Sequence, residues 1–125
     1  MPSDFPRRLL EIDGVIESPS MFSDRRALWM NGTEIAHEDT DGRYDVRLTR
    51  QRIRQMRDRL EGEPCVQLRA SSSSDWVVIE VDDAGDAELL VELVTAAANA
   101  HRPPPGTALR PPPHGGELAR RWRFH

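Results

Sequence analysis

The chain has 125 residues, of which 30% are charged and 38% hydrophobic, and its 17 basic residues are all Arg, against 21 Asp and Glu. This length and composition predict one globular domain, and no apolar run approaches the roughly 18 residues that a membrane-spanning helix needs. The N-terminus lacks the continuous apolar region of a secretory signal, and the lone Cys65 cannot form an intramolecular disulfide, so we expect a cytoplasmic protein.

Charge and composition both change near residue 102. Residues 1–102 carry 13 Arg and 20 acidic residues, whereas residues 103–125 carry 4 Arg and one acidic residue. The acidic part repels phosphates, so no nucleic-acid partner is expected for it. Two Pro triplets and a Gly pair follow Arg102, with too few apolar residues to order the segment. The sequence therefore predicts an α+β domain over residues 1–102 and a disordered Pro/Arg-rich tail over residues 103–125.

The first half of the domain predicts a short helix and a three-stranded antiparallel meander. Ser3 is a candidate N-cap for the helix. Asn31-Gly32 and Asp41-Gly42 lie between β-compatible runs, and such pairs are the strongest short hairpin signals. The predicted elements are a helix over residues 4–12, a possible strand near residues 15–17, and strands over residues 27–30, 33–37 and 44–49.

The second half of the domain predicts two amphipathic helices and two further strands. Thr49 is a candidate N-cap for the first helix and Asp86 for the second. The predicted elements are a helix over residues 50–61, strands over residues 65–70 and 76–81, and a last helix ending at Arg102. Together these elements predict an α+β fold, in which helices cover mainly one face of a mostly antiparallel sheet of about five strands.

The run over residues 34–42 contains the most suggestive set of polar side chains. In an extended strand His37, Asp39 and Asp41 share one face. An imidazole and two carboxylates can bind a divalent ion, or a carboxylate can orient the imidazole as a general base. Asp41 before a Gly also suits a solvated turn that ends the strand, and this interpretation is favoured. No metal site is therefore assigned.

Strand alternation also places Ile35 and His37 on one face, opposite Glu34. If Ile35 points into the core, His37 is at least partly buried. A buried neutral His with one hydrogen bond is more common than a catalytic His.

A second candidate site is the Ser-rich loop before Trp76. Ser74 and Asp75 precede this Trp at a strand start, where small polar residues beside an aromatic wall can line a pocket. A flexible polar turn with Trp76 as a core anchor fits the same residues equally well.

The second predicted helix carries Arg50, Arg54 and Arg57 on one face. The acidic excess of the surrounding domain favours the interpretation of this face as a solvated surface.

These residues resemble the luciferase-domain family, small bacterial and archaeal proteins that share a domain with fungal luciferases. The resemblance lies in E-I-x-H at residues 34–37, the Asp41-Gly42 turn and S-x-W-V at residues 74–77, in this order and spacing. It spans about residues 5–102. Fungal luciferases oxidise a hydroxylated pyrone with oxygen and no evident cofactor, so the resemblance implies a site for a small aromatic or hydroxylated molecule and no cofactor.

The chain also departs from the common family pattern. Family members often have P-H-R-F-G where residues 19–23 stand here, a second His at the position of Asp39, and histidines where residues 67–69 stand. His37 is the one member of that histidine set that remains. Light emission is therefore not expected.

These observations predict a luciferase-domain-like protein that binds a small molecule between its sheet and its helices. His37 is the candidate catalytic acid-base or hydrogen-bonding group, and Trp76 is the pocket wall. The sequence leaves open whether any reaction is catalysed. A non-enzymatic module that binds a protein partner or a second copy of itself is the alternative, and a metal-dependent enzyme using His37 is less favoured. The candidate ligand-binding residues are Glu34, His37, Asp39, Ser74, Asp75 and Trp76.

Overall fold

The computed structural model describes residues 5–69 and 73–113, and these ranges contain three helices and six strands. The elements in chain order are α1 (Arg7–Leu10), β1 (Ile16–Pro19), β2 (Arg26–Met30), β3 (Thr33–Thr40), β4 (Arg43–Arg47), α2 (Arg50–Glu61), β5 (Val66–Leu68), β6 (Trp76–Glu80) and α3 (Ala84–Ala100). Within them no helix is long and apolar enough to cross a membrane.

The strands form one sheet in the order β1-β2-β3-β4-β6-β5, and every neighbouring pair is antiparallel. The turns at Asn31-Gly32 and Asp41-Gly42 join β2 to β3 and β3 to β4, as predicted. Asn31, Gly32 and Gly42 have positive φ angles of 52°, 75° and 79°, a conformation that Asn and Gly tolerate. The predicted α+β fold is confirmed. The possible strand near residues 15–17 is present as β1, and it brings the sheet from the predicted five or so strands to six.

One of the three predicted helix starts is confirmed, and the other two need correction. Thr49 caps α2 as predicted, because its hydroxyl accepts a hydrogen bond from the Arg52 amide. The cap of α3 is Asp83 rather than Asp86, whose own amide donates to the Asp83 carboxylate. Helix α1 is shorter than predicted and starts after Pro6, which offers no side-chain cap. Ser3, its predicted cap, lies outside the described residues.

The main core lies between the helices and one face of the sheet. Tyr44 and Val46 of β4 and Val77 and Ile79 of β6 are buried there, in one cluster with the apolar residues of α3. Helix α3 contacts β3, β4 and β6, while α2 packs on β5. Among the described residues, no helix packs on the opposite face of the sheet.

That opposite face, which we call the open face, carries Trp29, Glu34, His37, Asp45 and Trp76. Trp29 and Ala27 form a small second cluster there, covered by Met21 from the segment before β2. The open face is therefore only partly apolar, and it presents charged and aromatic side chains together.

Residues 103–113, the first part of the tail that the sequence predicts to be disordered, have neither helix nor strand. The segment nevertheless returns to the β2–β3 turn, where the Arg110 amide donates to the Asn31 side chain at 2.9 Å. A side chain at Gly32 would meet Arg110 and Pro111. The remainder of the predicted tail, residues 114–125, lies outside the described residues.

Trp29 provides a stability test of the second cluster. The residue is 1% exposed, and its indole Nε1 has no hydrogen-bond partner among the described residues. Trp29→Phe removes this buried donor but keeps most apolar contact, so we expect it to lower the free energy of unfolding by less than about 1.5 kcal/mol. Trp29→Ala should lower it by about 3–5 kcal/mol. Chemical denaturation measures the free energy of unfolding of both variants. Equal losses of this free energy in Trp29→Phe and Trp29→Ala would contradict the interpretation that the indole N–H is buried without a partner.

Candidate functional site

A β-bulge in β3 brings two polar side chains to the same face of the sheet. Two consecutive residues of β2 pair with Ala36 and Glu34, which leaves Ile35 as an extra residue in β3. Ile35 is buried in the main core, whereas Glu34 and His37 lie together on the open face. The prediction that Ile35 and His37 share a face opposite Glu34 is therefore wrong, because regular alternation does not continue through a bulge.

Glu34 is a buried carboxylate with three hydrogen-bond donors. The Ser20 hydroxyl and the Met21 amide each donate to it at 2.7 Å, and Nδ1 of His37 donates at 2.9 Å. The side chain has no exposed surface, so these donors replace the water that it loses on folding. Glu34 thus joins the segment before β2 to the imidazole of His37.

His37 lies between two carboxylates. Its Nε2 is 2.9 Å from Oδ2 of Asp45, the residue paired with it across β3 and β4. Ionised carboxylates only accept hydrogen bonds, so these two contacts favour a proton on both ring nitrogens. The sequence leaves the protonation of His37 open, and the two carboxylate contacts favour the imidazolium form over a neutral His with one hydrogen bond. Oδ1 of Asp45 accepts a further hydrogen bond from Arg69 at 3.1 Å.

The protonation of His37 follows from these contacts. Burial alone would lower the pKa of His37, but the hydrogen bonds and the charges of Asp45 and Glu34 outweigh it and raise the pKa to about 9. For Asp45, burial alone would raise the pKa, but the His37 hydrogen bond, together with the charges of His37, Arg69 and Arg43, lowers it. At neutral pH the cluster therefore holds one imidazolium between carboxylates.

Three rings meet above this charged cluster. The His37 and Trp76 ring centroids are 5.2 Å apart, and Phe22 lies 5.8 Å from each of them, edge-on to Trp76. The guanidinium carbon of Arg47 lies 5.3 Å from the centroid of the Trp76 ring. Phe22 reaches the site because Ser20 and Met21 are held by Glu34.

The rings and the charged groups border a cavity of about 250 Å³ that is open to the surface and is lined by Phe22, His37, Asp45, Arg69 and Trp76. We call it the aromatic cavity. It lies on the open face of the sheet and not between the sheet and the helices, the position expected from the sequence.

Ser74 and Asp75 shape the approach to β6 instead of lining the aromatic cavity. The Trp76 amide donates to the Ser74 hydroxyl at 3.1 Å. The Asp75 carboxylate accepts a hydrogen bond from the Arg50 amide at the start of α2. Both residues therefore fix the strand start that carries Trp76.

Asp39 is exposed near the end of β3 and is not among the residues lining the cavity. The pairing of β3 with β4 is irregular at this point, and the Asp39 carbonyl accepts a hydrogen bond from Arg25. The strand ends at Thr40, so Asp41 lies in the turn, as the favoured interpretation predicts. Within residues 5–69 and 73–113, no three His, Cys, Asp or Glu side chains are grouped to hold a metal ion.

Sequence reasoning missed Ser20, Phe22, Asp45 and Arg69. Counting outwards from the turn at residues 41–42 would pair His37 with Val46, and the irregularity between Glu38 and Thr40 shifts the partner of His37 to Asp45, so local sequence could not reveal this contact. Arg69 follows β5, and its position depends on the insertion of β6 between β4 and β5. Ser20 and Phe22 lie in an irregular segment with no periodic signal.

The protonation of His37 predicts how stability depends on pH. The folded pKa lies above the ordinary value of 6.5, so the cluster stabilises the fold fully below pH 6.5 and loses this effect as the pH rises through about 9. After allowance for partial exposure of the ring, we expect a loss of about 2 kcal/mol between these limits. His37→Gln should be less stable at pH 6 and show a flatter decline. An imidazole titration by NMR with a midpoint near 6.5 would contradict this account.

Comparison with known families supports the resemblance seen in the sequence. The family model described as the Luciferase domain matches residues 32–97. The comparisons with curated proteins and with solved structures found no match. The matched range includes β3, β4 and β6, which carry His37, Asp45 and Trp76, whereas Phe22 precedes it. Since the match covers more than half of the chain and contains the predicted motifs, this protein belongs to the luciferase-domain family.

Proposed function

We propose that this protein binds a small planar molecule, aromatic or hydroxylated, in the aromatic cavity on the open face of its sheet. The observation that carries the proposal is the meeting of Phe22, His37 and Trp76 within 6 Å of one another around a cavity of about 250 Å³. A flat ring would contact apolar walls there, and such walls with a few polar groups are typical of small-molecule sites.

The polar groups of the cavity favour a ligand that bears a hydrogen-bond acceptor. Arg69 has N–H donors beyond the one that binds Asp45. Both N–H groups of His37 are used by Glu34 and Asp45, so His37 contributes charge. Glu34 fixes the other side of the imidazole. These contacts exist before a ligand enters. Binding would therefore cost little side-chain entropy, because the side chains are already ordered. A hydroxyl or carbonyl oxygen of the ligand would face fixed positive charge.

The proposed role of His37 is to supply positive charge rather than a hydrogen bond or a free lone pair. Both of its ring nitrogens are already hydrogen-bonded to carboxylates. A general base must accept a proton, and His37 has a pKa of about 9, so that role would develop only in alkaline solution. Any reaction at the site near neutral pH would use the imidazolium to stabilise negative charge.

Truncation of the cavity walls tests the proposal. Phe22 is 50% exposed, so Phe22→Ala should remove a wall of the cavity with little effect on folding. We expect the Kd of naphthol, measured by isothermal titration calorimetry, to rise about tenfold in this variant, which corresponds to about 1.4 kcal/mol. Trp76→Ala should weaken binding at least as much.

The matched control is Leu10→Ala, because Leu10 is also an exposed apolar residue, at 37%, but belongs to α1. It should leave the Kd of naphthol unchanged. Equal Kd values for the unmodified protein and the Phe22→Ala and Trp76→Ala variants would contradict the proposal, as would an equal loss in Leu10→Ala.

A further inference from the structure

Trp76 and Arg69 separate the aromatic cavity from a second, smaller recess. Both residues line both spaces. The smaller one has a volume of about 30 Å³, and its polar lining includes Arg54 and Arg57 of α2 and Ser74. We call it the arginine recess. A molecule seated in the aromatic cavity would therefore have a cationic recess beside its ring.

The arginine recess has no acidic residue in its described lining, although the chain as a whole has a formal charge of -4. Arg57 is paired with Glu61, and Arg69 is paired with Asp45. In the part of the chain that the structure describes, Arg54 has no hydrogen-bond or ion-pair partner. Among the described residues, Arg54 is thus the guanidinium of the recess that has no counter-charge and could pair with an anion.

Arg47 adds positive charge on the same side of the sheet. Its guanidinium contacts the Trp76 ring, and it has no carboxylate partner among the described residues. In a protein with an acidic excess, a local group of cations around one aromatic side chain favours an anionic ligand.

We propose that the ligand is an aromatic carboxylate, with its ring in the aromatic cavity and its carboxylate in the arginine recess beside Arg54 and Arg69. This inference rests on the proposed function and names the ligand class. A guanidinium matches a carboxylate through two parallel N–H donors. The small recess volume of about 30 Å³ favours a small planar group over a bulkier phosphoryl group.

The test compares two probes of the same shape on the full chain. Naphthoate carries a carboxylate, and naphthamide replaces it with a neutral amide. We expect naphthoate to bind about tenfold more tightly in calorimetry at low salt, as a charge-assisted hydrogen bond would give. Arg54→Gln should remove most of this preference while leaving the Kd of naphthamide unchanged.

Arg54 is the residue to change, because Arg69 also holds Asp45. The control is Arg52→Gln, on the same helix, whose side chain contacts Gln55 and does not line the arginine recess. This variant should keep the full preference for naphthoate. A preference that survives in Arg54→Gln, or that is lost equally in Arg52→Gln, would overturn the assignment of the recess.

The two proposals fail in different ways. Equal Kd values for naphthoate and naphthamide, both raised by Trp76→Ala, would overturn the carboxylate assignment and leave the aromatic cavity as a binding site. A failure of naphthol, naphthamide and naphthoate alike to bind would overturn both proposals.

Discussion

The hydrogen-bonded row Glu34–His37–Asp45 is the interaction on which the open face of this protein depends. A buried carboxylate and a buried imidazole are each expensive to remove from water, and each is stabilised here by the other. The row also reaches outwards, since Glu34 holds the segment that carries Phe22 and Asp45 holds Arg69. One charged cluster therefore positions both the aromatic and the cationic sides of the cavity.

The row exists because of two backbone features. The bulge at Ile35 turns Glu34 to the face of His37, and the β3–β4 pairing places Asp45 directly across from the imidazole. At the same time Ile35 enters the core, so the bulge does not reduce apolar packing. The division of the sheet into a packed face and an open face thus gives the polar row a place that the core does not occupy. The described residues that line the cavity accordingly belong to strands and connecting segments and not to helices.

Local sequence signals predicted most of the fold and only part of the site. The turns at residues 31–32 and 41–42 and the cap at Thr49 depend on neighbouring residues alone, and all three were predictable. The partnership of Glu34 with His37 was not, because a bulge is selected by packing across strands. Phe22 was also missed, since its position depends on hydrogen bonds from its neighbours to a distant carboxylate. The motif around His37 and Trp76 identified the correct strands, but only the three-dimensional structure shows that the two residues line one cavity.

His37 and Trp76 are proposed to belong to one binding site on the open face. An NMR titration of the full chain with naphthol tests this assignment by following the assigned imidazole of His37 and indole N–H of Trp76. Both resonances should shift along one saturation curve, while the indole of Trp29, buried in the neighbouring cluster, should move much less. Saturation of binding with both resonances unmoved would show that the two residues do not form one site.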